Sequence, residues 1–346
     1  MHRIDSTLTE ARERGVFSAA AWSHGTAEGP SARGLVGTLS WDGPAVEEHS
    51  RWDLASVTKP IVAIAVMSLV ESGHLTLDDT IADHLPDYAG TDKATLTVRQ
   101  LLSHTSGIPG QVPLYASSPT REEMLTAIRE LPLLGPPDTA VVYSSQGFIV
   151  LGLMAEAASG LPLDRLVAER VSAPAGMPDT AFGVPDAQQR HAVATEDDPW
   201  RGTVVQGQVH DENAVVLGAP AGHAGLFSTL ADMEQLGRTL CAEGRGRDGR
   251  MLSPAGHRTM IEPRTDHLNL RRSLGWQGQD ATLSPAGDLI GPRGYGHTGF
   301  TGTSLWVDPD AGRYVVLLTN RVHPSRTGDA IVRVRRQVHN LALADS

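Results

Sequence analysis

The sequence predicts a mixed α/β (α+β) fold, in which a sheet completed by both ends of the chain carries a mostly helical insert. Three observations predict it. Strand patterns occur near both ends, at Phe17–Ser23 and Leu35–Trp41, then again within Gly296–Val307 and at Tyr314–Asn320. Helical patterns flank them, at about Ser6–Arg14 and at Asp329–Ala344. Between the two strand groups lies a succession of helical patterns.

Taken in order, Gly25–Gly34 is rich in glycine and proline and reads as the loop between the first two strands. Ile61–Val70 is apolar on every side, which marks a buried helix, and Gly73 ends it. Leu-Thr-Leu-Asp-Asp begins a short helix through Leu85, and Leu96–Leu102 carries another into the turn Ser103–Gly107. Arg121–Glu130 is helical, Gly135-Pro136-Pro137 breaks the chain, and Phe148–Ala158 is an apolar helix stopped by Ser159-Gly160. Ala173–Gly176 and Val184–Glu196 read as loops, and Leu230–Leu240 as a helix.

Composition removes several function classes. At 346 residues the chain exceeds one typical core, and 40% apolar content suffices for a substantial interior. Its net charge of −11 and the lack of a basic cluster argue against nucleic acid and anionic membrane as partners. Met1–Asp5 lacks the apolar core of a secretion signal, and Ile61–Val70 is too short to span a bilayer. The single Cys241 excludes an internal disulfide and suits a reducing compartment, so a cytoplasmic location is expected. Cys241 follows Leu236 and Leu240 on a helical pattern, which makes it a core residue rather than a nucleophile.

Lysine occurs only twice, at Lys59 and Lys93, while 27 of the 29 basic residues are arginine. Guanidinium cannot give up its proton in a protein, whereas an ammonium can. Ser56 lies one helical turn before Lys59, on the same face, at the N-terminus of the buried helix. Unpaired N–H groups and the dipole favour negative charge there. A serine and an amine at the mouth of a buried helix are a nucleophile beside a base. Ser-x-x-Lys alone is a weak signal, because a capping serine with a surface lysine looks the same. Two further elements strengthen it. Tyr143-Ser144-Ser145 stands on a turn before an apolar helix, and Gly296-His297-Thr298-Gly299-Phe300 opens a strand in which glycine allows close approach of a ligand.

With these three elements in this order, the chain resembles the serine β-lactamase and penicillin-binding-protein superfamily, nearest to its class-C-like esterase and D-stereospecific peptidase branch. Leu101–Gly107, Pro174–Thr180 and Ala221–Thr229 look like that family's framework segments, so the likeness runs from about Val16 to Asn320. The resemblance implies an antiparallel sheet flanked by N- and C-terminal helices. It further implies an α/β subdomain formed by residues 1–65 and 226–346, a mostly helical subdomain over 66–225, and an active site between them. It assigns Ser56 as the acylated nucleophile, with Lys59 close to the Tyr143 oxygen so that one of them takes the serine proton. The backbone N–H groups of Ser56 and Phe300 would form the oxyanion hole. His297, Thr298, Gly299 and Ser145 would meet the substrate.

Two departures qualify this expectation. The family's usual Tyr-x-Asn is here Tyr143-Ser144-Ser145, which removes an amide that could read a peptide bond. The lactamases' Lys-Thr-Gly is here His297-Thr298-Gly299, a form common in the family's peptidases and esterases. An imidazole loses its charge near its ordinary pKa of about 6.5. A substrate carboxylate held by His297 would therefore bind less well as pH rises. Val209–Ala214 packs His210, Asp211, Glu212 and Asn213 together, as a cleft wall or as a hydrogen-bonded loop. His223 between small residues reads as structural, His104 as a partner at a helix end, and Lys93 beside Asp92 as a solvated charge.

The expectation is a serine hydrolase that forms an acyl-enzyme on a small ester or amide, with no cofactor and no metal, since no zinc signature occurs. An acyltransferase with a small amine or alcohol acceptor, a cytoplasmic β-lactamase and a non-catalytic ligand-binding module are the alternatives. The expected partner is a small acyl substrate, and the sequence leaves the oligomeric state open.

Overall fold

A computed structural model describes residues 2–218, 220–282 and 284–345 of the chain. Six strands form one antiparallel sheet: β1 (Ala19–Thr26), β2 (Gly29–Gly37), β3 (Gln277–Gly278), β4 (Tyr295–Thr298), β5 (Ser304–Asp308) and β6 (Arg313–Thr319). Five helices position the site: α1 (Arg3–Glu13), α2 (Thr58–Glu71), α3 (Ser145–Ser159), α4 (Leu230–Cys241) and α5 (Ala330–Ala344). The sheet order is β2–β1–β6–β5–β4–β3, so the first strand of the chain pairs with the last, Ala20 opposite Thr319 and Trp22 opposite Leu317.

Alternation along the strands separates two cores. Ala20, Trp22, Val315 and Leu317 face the terminal helices, packing with Ile4 and Leu8 of α1 and with Ile331, Val334 and Val338 of α5. Ala19, Ala21, Val316 and Leu318 face the other way, into the main core, where α4 covers β1 and β6. At the centre of that core is α2, buried from Thr58 through Leu69 and packed on α3. Cys241 ends α4 with its thiol pushed up to about 12 by burial, as fits a core residue. Among the described residues no single helix is long and apolar enough to cross a membrane.

Several segments differ from the sequence expectation. Gly25–Gly34 is mostly a β-hairpin, with a bulge between His24 and Gly25. Pro30 is tolerated because β2 is an edge strand, where a missing N–H breaks no inner ladder. Ala173–Ala175 is helical and ends a run that starts at Leu163, so Pro174 and Gly176 mark its end rather than a loop. Val184–Glu196 contains a helical turn, Asp186–His191, and enters the strand Ala194–Asp198, whose buried Glu196 and Asp198 mask a strand pattern. Gly296–Val307 is a hairpin of β4 and β5. Lys93 is wholly buried, not solvated: its stem lies in the core and its Nζ donates to Asp92 Oδ1 at 2.7 Å.

Candidate active site

The nucleophile turn is assembled from a short strand. Trp52–Asp53 pairs with Phe227–Ser228, and the Leu54 N–H donates to Leu226 O at 2.9 Å. The chain then bends through Ala55, whose φ of 47° is left-handed. That conformation costs a residue with a Cβ roughly 1–2 kcal/mol. Asp53 Oδ1 holds it, accepting the Ala55 N–H at 2.7 Å. The turn Ala55–Val57 runs directly into α2, which leaves Ser56 partly exposed at the helix mouth.

Lys59 lies one turn further on and is wholly buried. Its Nζ donates to Ser56 Oγ at 3.1 Å and to His223 O at 3.0 Å. It also sits over the Tyr143 ring, 4.8 Å from the centroid. The amine thus lies beside the phenol ring of Tyr143. No hydrogen bond joins Nζ to the Tyr143 oxygen among the described residues. The Tyr143 turn is fixed by His104, whose carbonyl accepts the Val142 N–H at 2.8 Å and whose Nδ1 accepts the Ser144 N–H at 3.0 Å. Burial, then the Lys59 charge, keeps His104 well below the ordinary imidazole range, so the ring is a neutral acceptor. It supports the Tyr143 turn rather than a helix end.

The β4–β5 hairpin crosses in front of Ser56. Thr301 Oγ donates to Asp53 O at 2.8 Å and Thr303 Oγ donates to Leu54 O at 3.0 Å, both hydroxyls being buried. A side chain at Gly299 would collide with the Leu54 carbonyl and the Thr303 hydroxyl. These bonds sew the 299–303 loop to the residues just before the nucleophile, and so fix two N–H groups relative to each other. Ser56 stands in a first helical turn, where N–H groups have no intrahelical partner. The Phe300 N–H donates to no other backbone group among the described residues.

Two cavities, of about 350 Å³ and about 260 Å³, meet at Ser56, Gln111 and Phe300. The first gathers Tyr143, His297, Thr298 and Gly299, together with Arg272 and Arg335. Ser145 and His210 line the second instead, so the structure divides the expected substrate residues between two sides of the nucleophile.

In the first cavity, burial and then the Lys59 charge push His297 down to about 3. Its Nδ1 donates to Thr298 O at 2.8 Å, because a carbonyl can only accept. The ring then offers Nε2 as an acceptor, and its lowered pKa is at odds with the expectation that it holds a carboxylate by charge. The positive charge on this wall comes from arginine. Arg335 of α5 donates to Gly299 O at 2.6 Å and to Thr303 O at 3.1 Å. Burial, then Arg321, pushes Arg335 down to about 9, and its Nε has no partner among the described residues.

In the second cavity, the His210–Asn213 segment is both a hydrogen-bonded loop and a wall. The His210 N–H donates to Asp53 Oδ2 at 2.7 Å, its Nε2 lies 2.8 Å from Glu196 Oε2, and its ring stacks on Phe300. Asp211 Oδ1 accepts the Ala214 N–H and meets His223 Nε2, each at 2.9 Å. Asn213 is spent on the loop opposite, accepting from the Tyr115 N–H and donating to Val112 O, both at 2.9 Å. His223 is structural as expected, yet its carbonyl is also a partner of Lys59.

The profile described as Beta-lactamase matches residues 23–339, nearly the whole chain. The chain belongs to the β-lactamase family. A protein of Escherichia coli (strain K12) named as a D-alanyl-D-alanine carboxypeptidase is 31% identical over 303 residues, covering 79% of this chain and 69% of the relative. Among solved structures, EstCE1, described as a hydrolase with promiscuous acyltransferase activity, superposes with a TM-score of 0.79 at 23% identity over 99% of this chain and 97% of its own. A variant of simvastatin synthase from Aspergillus terreus gives 0.76 at 20% identity, over 99% and 96%. These two share the fold. The protein is a serine hydrolase of the β-lactamase family.

Within this β-lactamase-family site, sequence reasoning missed Asp53, Arg272 and Arg335. Arg335 left a signal: it stands on the buried stripe of α5 with Ile331, Val334 and Val338, where an unpaired charge is out of place. Asp53 offered only a local turn bond to Ala55, its link to the His210 N–H coming from far along the chain, and Arg272 stands in no motif.

Proposed function

We propose that the protein hydrolyses small esters or amides through an acyl-enzyme on Ser56. The observation that carries this reading is the 3.1 Å contact between Lys59 Nζ and Ser56 Oγ at the junction of the two cavities. Lys59, as the amine, takes the hydroxyl proton while Oγ bonds to the substrate carbonyl carbon. The carbonyl oxygen, now an anion, is received by the Ser56 and Phe300 N–H groups. The leaving group departs with a proton from the Lys59–Tyr143 pair, and water then repeats the sequence to release the acid. A small peptide amide is included in the substrate class, in line with the name of the Escherichia coli relative. Ser145 in place of the usual asparagine favours esters.

One observation supports a second reading, acyl transfer. Two cavities flank Ser56, so an acceptor amine or alcohol has room beside a bound acyl group. The experiment is intact mass after incubation with a fluorophosphonate and with a panel of acyl esters. A single adduct on Ser56, lost in Ser56→Ala along with turnover, is the expected result. A Ser56→Ala variant retaining a tenth of the wild-type kcat overturns the assignment. Turnover that requires an added amine or alcohol turns the reading from hydrolase to transferase.

A further inference from the structure

The two cavities that meet at Ser56 carry opposite charge. The first is walled by Arg272, Arg321 and Arg335 against one aspartate, Asp329. The second is walled by Asp211 and Glu212, with Glu196 behind His210, against one guanidinium, Arg326. Arg326 is drawn onto two carboxylates: it donates through Nε to Glu196 Oε2 at 2.6 Å and through an amino group to Glu212 Oε1 at 2.5 Å. Asp211 stays ionised although burial opposes it, because His223, the Ala214 N–H and the Lys59 charge hold its carboxyl below the usual range.

Two polar groups in this cavity are unspent. Ser145 is only 7% exposed, lines the cavity, and its hydroxyl has no partner among the described residues. Glu212 is 8% exposed, and Arg326 engages only its Oε1. Above them stand Val112, Pro113 and the Tyr115 ring. A carboxylate, a hydroxyl and an aromatic ring beside an apolar wall are the complement of a primary ammonium on a short hydrocarbon stem.

We propose that the second cavity is a subsite for a primary ammonium carried by the substrate, so that the acyl donors of this enzyme are aminoacyl esters or amides. This rests on the hydrolase reading above. The ammonium sits between Glu212 Oε2 and Ser145 Oγ, on the side of Ser56 away from His297. Asp211 adds attraction at longer range.

The test uses p-nitrophenyl esters in pairs of equal length: β-alanyl with butyryl, and 6-aminohexanoyl with heptanoyl. In wild type at pH 7 and low salt, kcat/KM for at least one amino ester exceeds that of its uncharged partner by about tenfold, the scale of one hydrogen bond to a charged group. Added salt reduces that ratio. Glu212→Gln brings it towards one. Ser145→Ala lowers it too and leaves the Arg326 pairs intact, which covers a Glu212 variant that does not fold. Wild type that hydrolyses the uncharged esters but shows no preference in either pair overturns the ammonium subsite and leaves the hydrolase standing. A preference that survives both substitutions also overturns it. No turnover of any ester, with no fluorophosphonate adduct on Ser56, overturns the subsite and the hydrolase together.

Discussion

Thr303→Val tests whether the oxyanion loop is held by the bonds seen here. The substitution keeps the side-chain shape and removes the hydroxyl that donates to Leu54 O at 3.0 Å. Thr303 is wholly buried, so no water replaces the lost donor and the Leu54 carbonyl keeps only the Val57 N–H, at 3.0 Å. The stability cost is that of one lost buried hydrogen bond, about 0.5–1.5 kcal/mol. The catalytic cost is bounded above by loss of a whole oxyanion donor, about 10²–10³ in kcat. Thr301 Oγ and the two Arg335 bonds still hold the loop, so displacement of Phe300 is partial. A loss of roughly tenfold to a hundredfold in kcat follows, with KM nearly unchanged, because the N–H acts on the transition state. The assay pairs urea unfolding with steady-state hydrolysis of a p-nitrophenyl ester. A variant that loses the expected stability but keeps kcat within a factor of two refutes the reasoning, since the loop would then be held without this bond.

Lys59→Arg is expected to be nearly as damaging as Lys59→Ala in kcat, because a guanidinium keeps the charge but accepts no proton; retention of most activity would make Lys59 an electrostatic support. With His297 lowered to about 3, the KM of an acidic ester and of its neutral partner should run parallel from about pH 5.5 to 8; a weakening confined to the acidic ester would show that His297 carries charge there. Folding stability should fall on acidification already between about pH 6.5 and 4. His257 and His339, both lowered to about 4 by burial, refuse a proton in the folded state that the unfolded chain accepts. Asp232, raised to about 6, offsets part of this loss, and urea midpoints flat across that window would contradict it. Nitrocefin should be turned over far more slowly than a p-nitrophenyl ester, since Ser145 replaces an amide-reading side chain; comparable rates would reverse that expectation.

The contact between Ser56 and Lys59 was legible because its information is local. Ser56 and Lys59 are one turn apart on a helix whose burial is written in Ile61–Val70, and Arg121–Glu130 was read to the residue. What the sequence hid is either long-range or chemically disguised. Asp53 matters because His210 comes back to it from far along the chain, a pairing with no local pattern. The β1–β2 hairpin was disguised by glycine and proline that an edge strand tolerates. The lowering of His297 follows from burial and then from the charges of Lys59, Arg272 and Arg335, which no motif records.

The pairing of β1 with β6 sets the order in which the enzyme can come into being. Ala20 meets Thr319 only after every residue between them has been synthesised. Until then the β1–β2 ribbon presents an open inner edge, with Ala20 and Trp22 covered by α1 alone, because β6 and α5 do not yet exist. Contacts of such sequence separation make folding slow, and an uncovered strand edge invites pairing with another chain. The hairpin that brings the Phe300 N–H to Ser56 also lies near the end of the chain. A chain that stops short of this hairpin lacks the Phe300 N–H and leaves the β1 edge open to another chain.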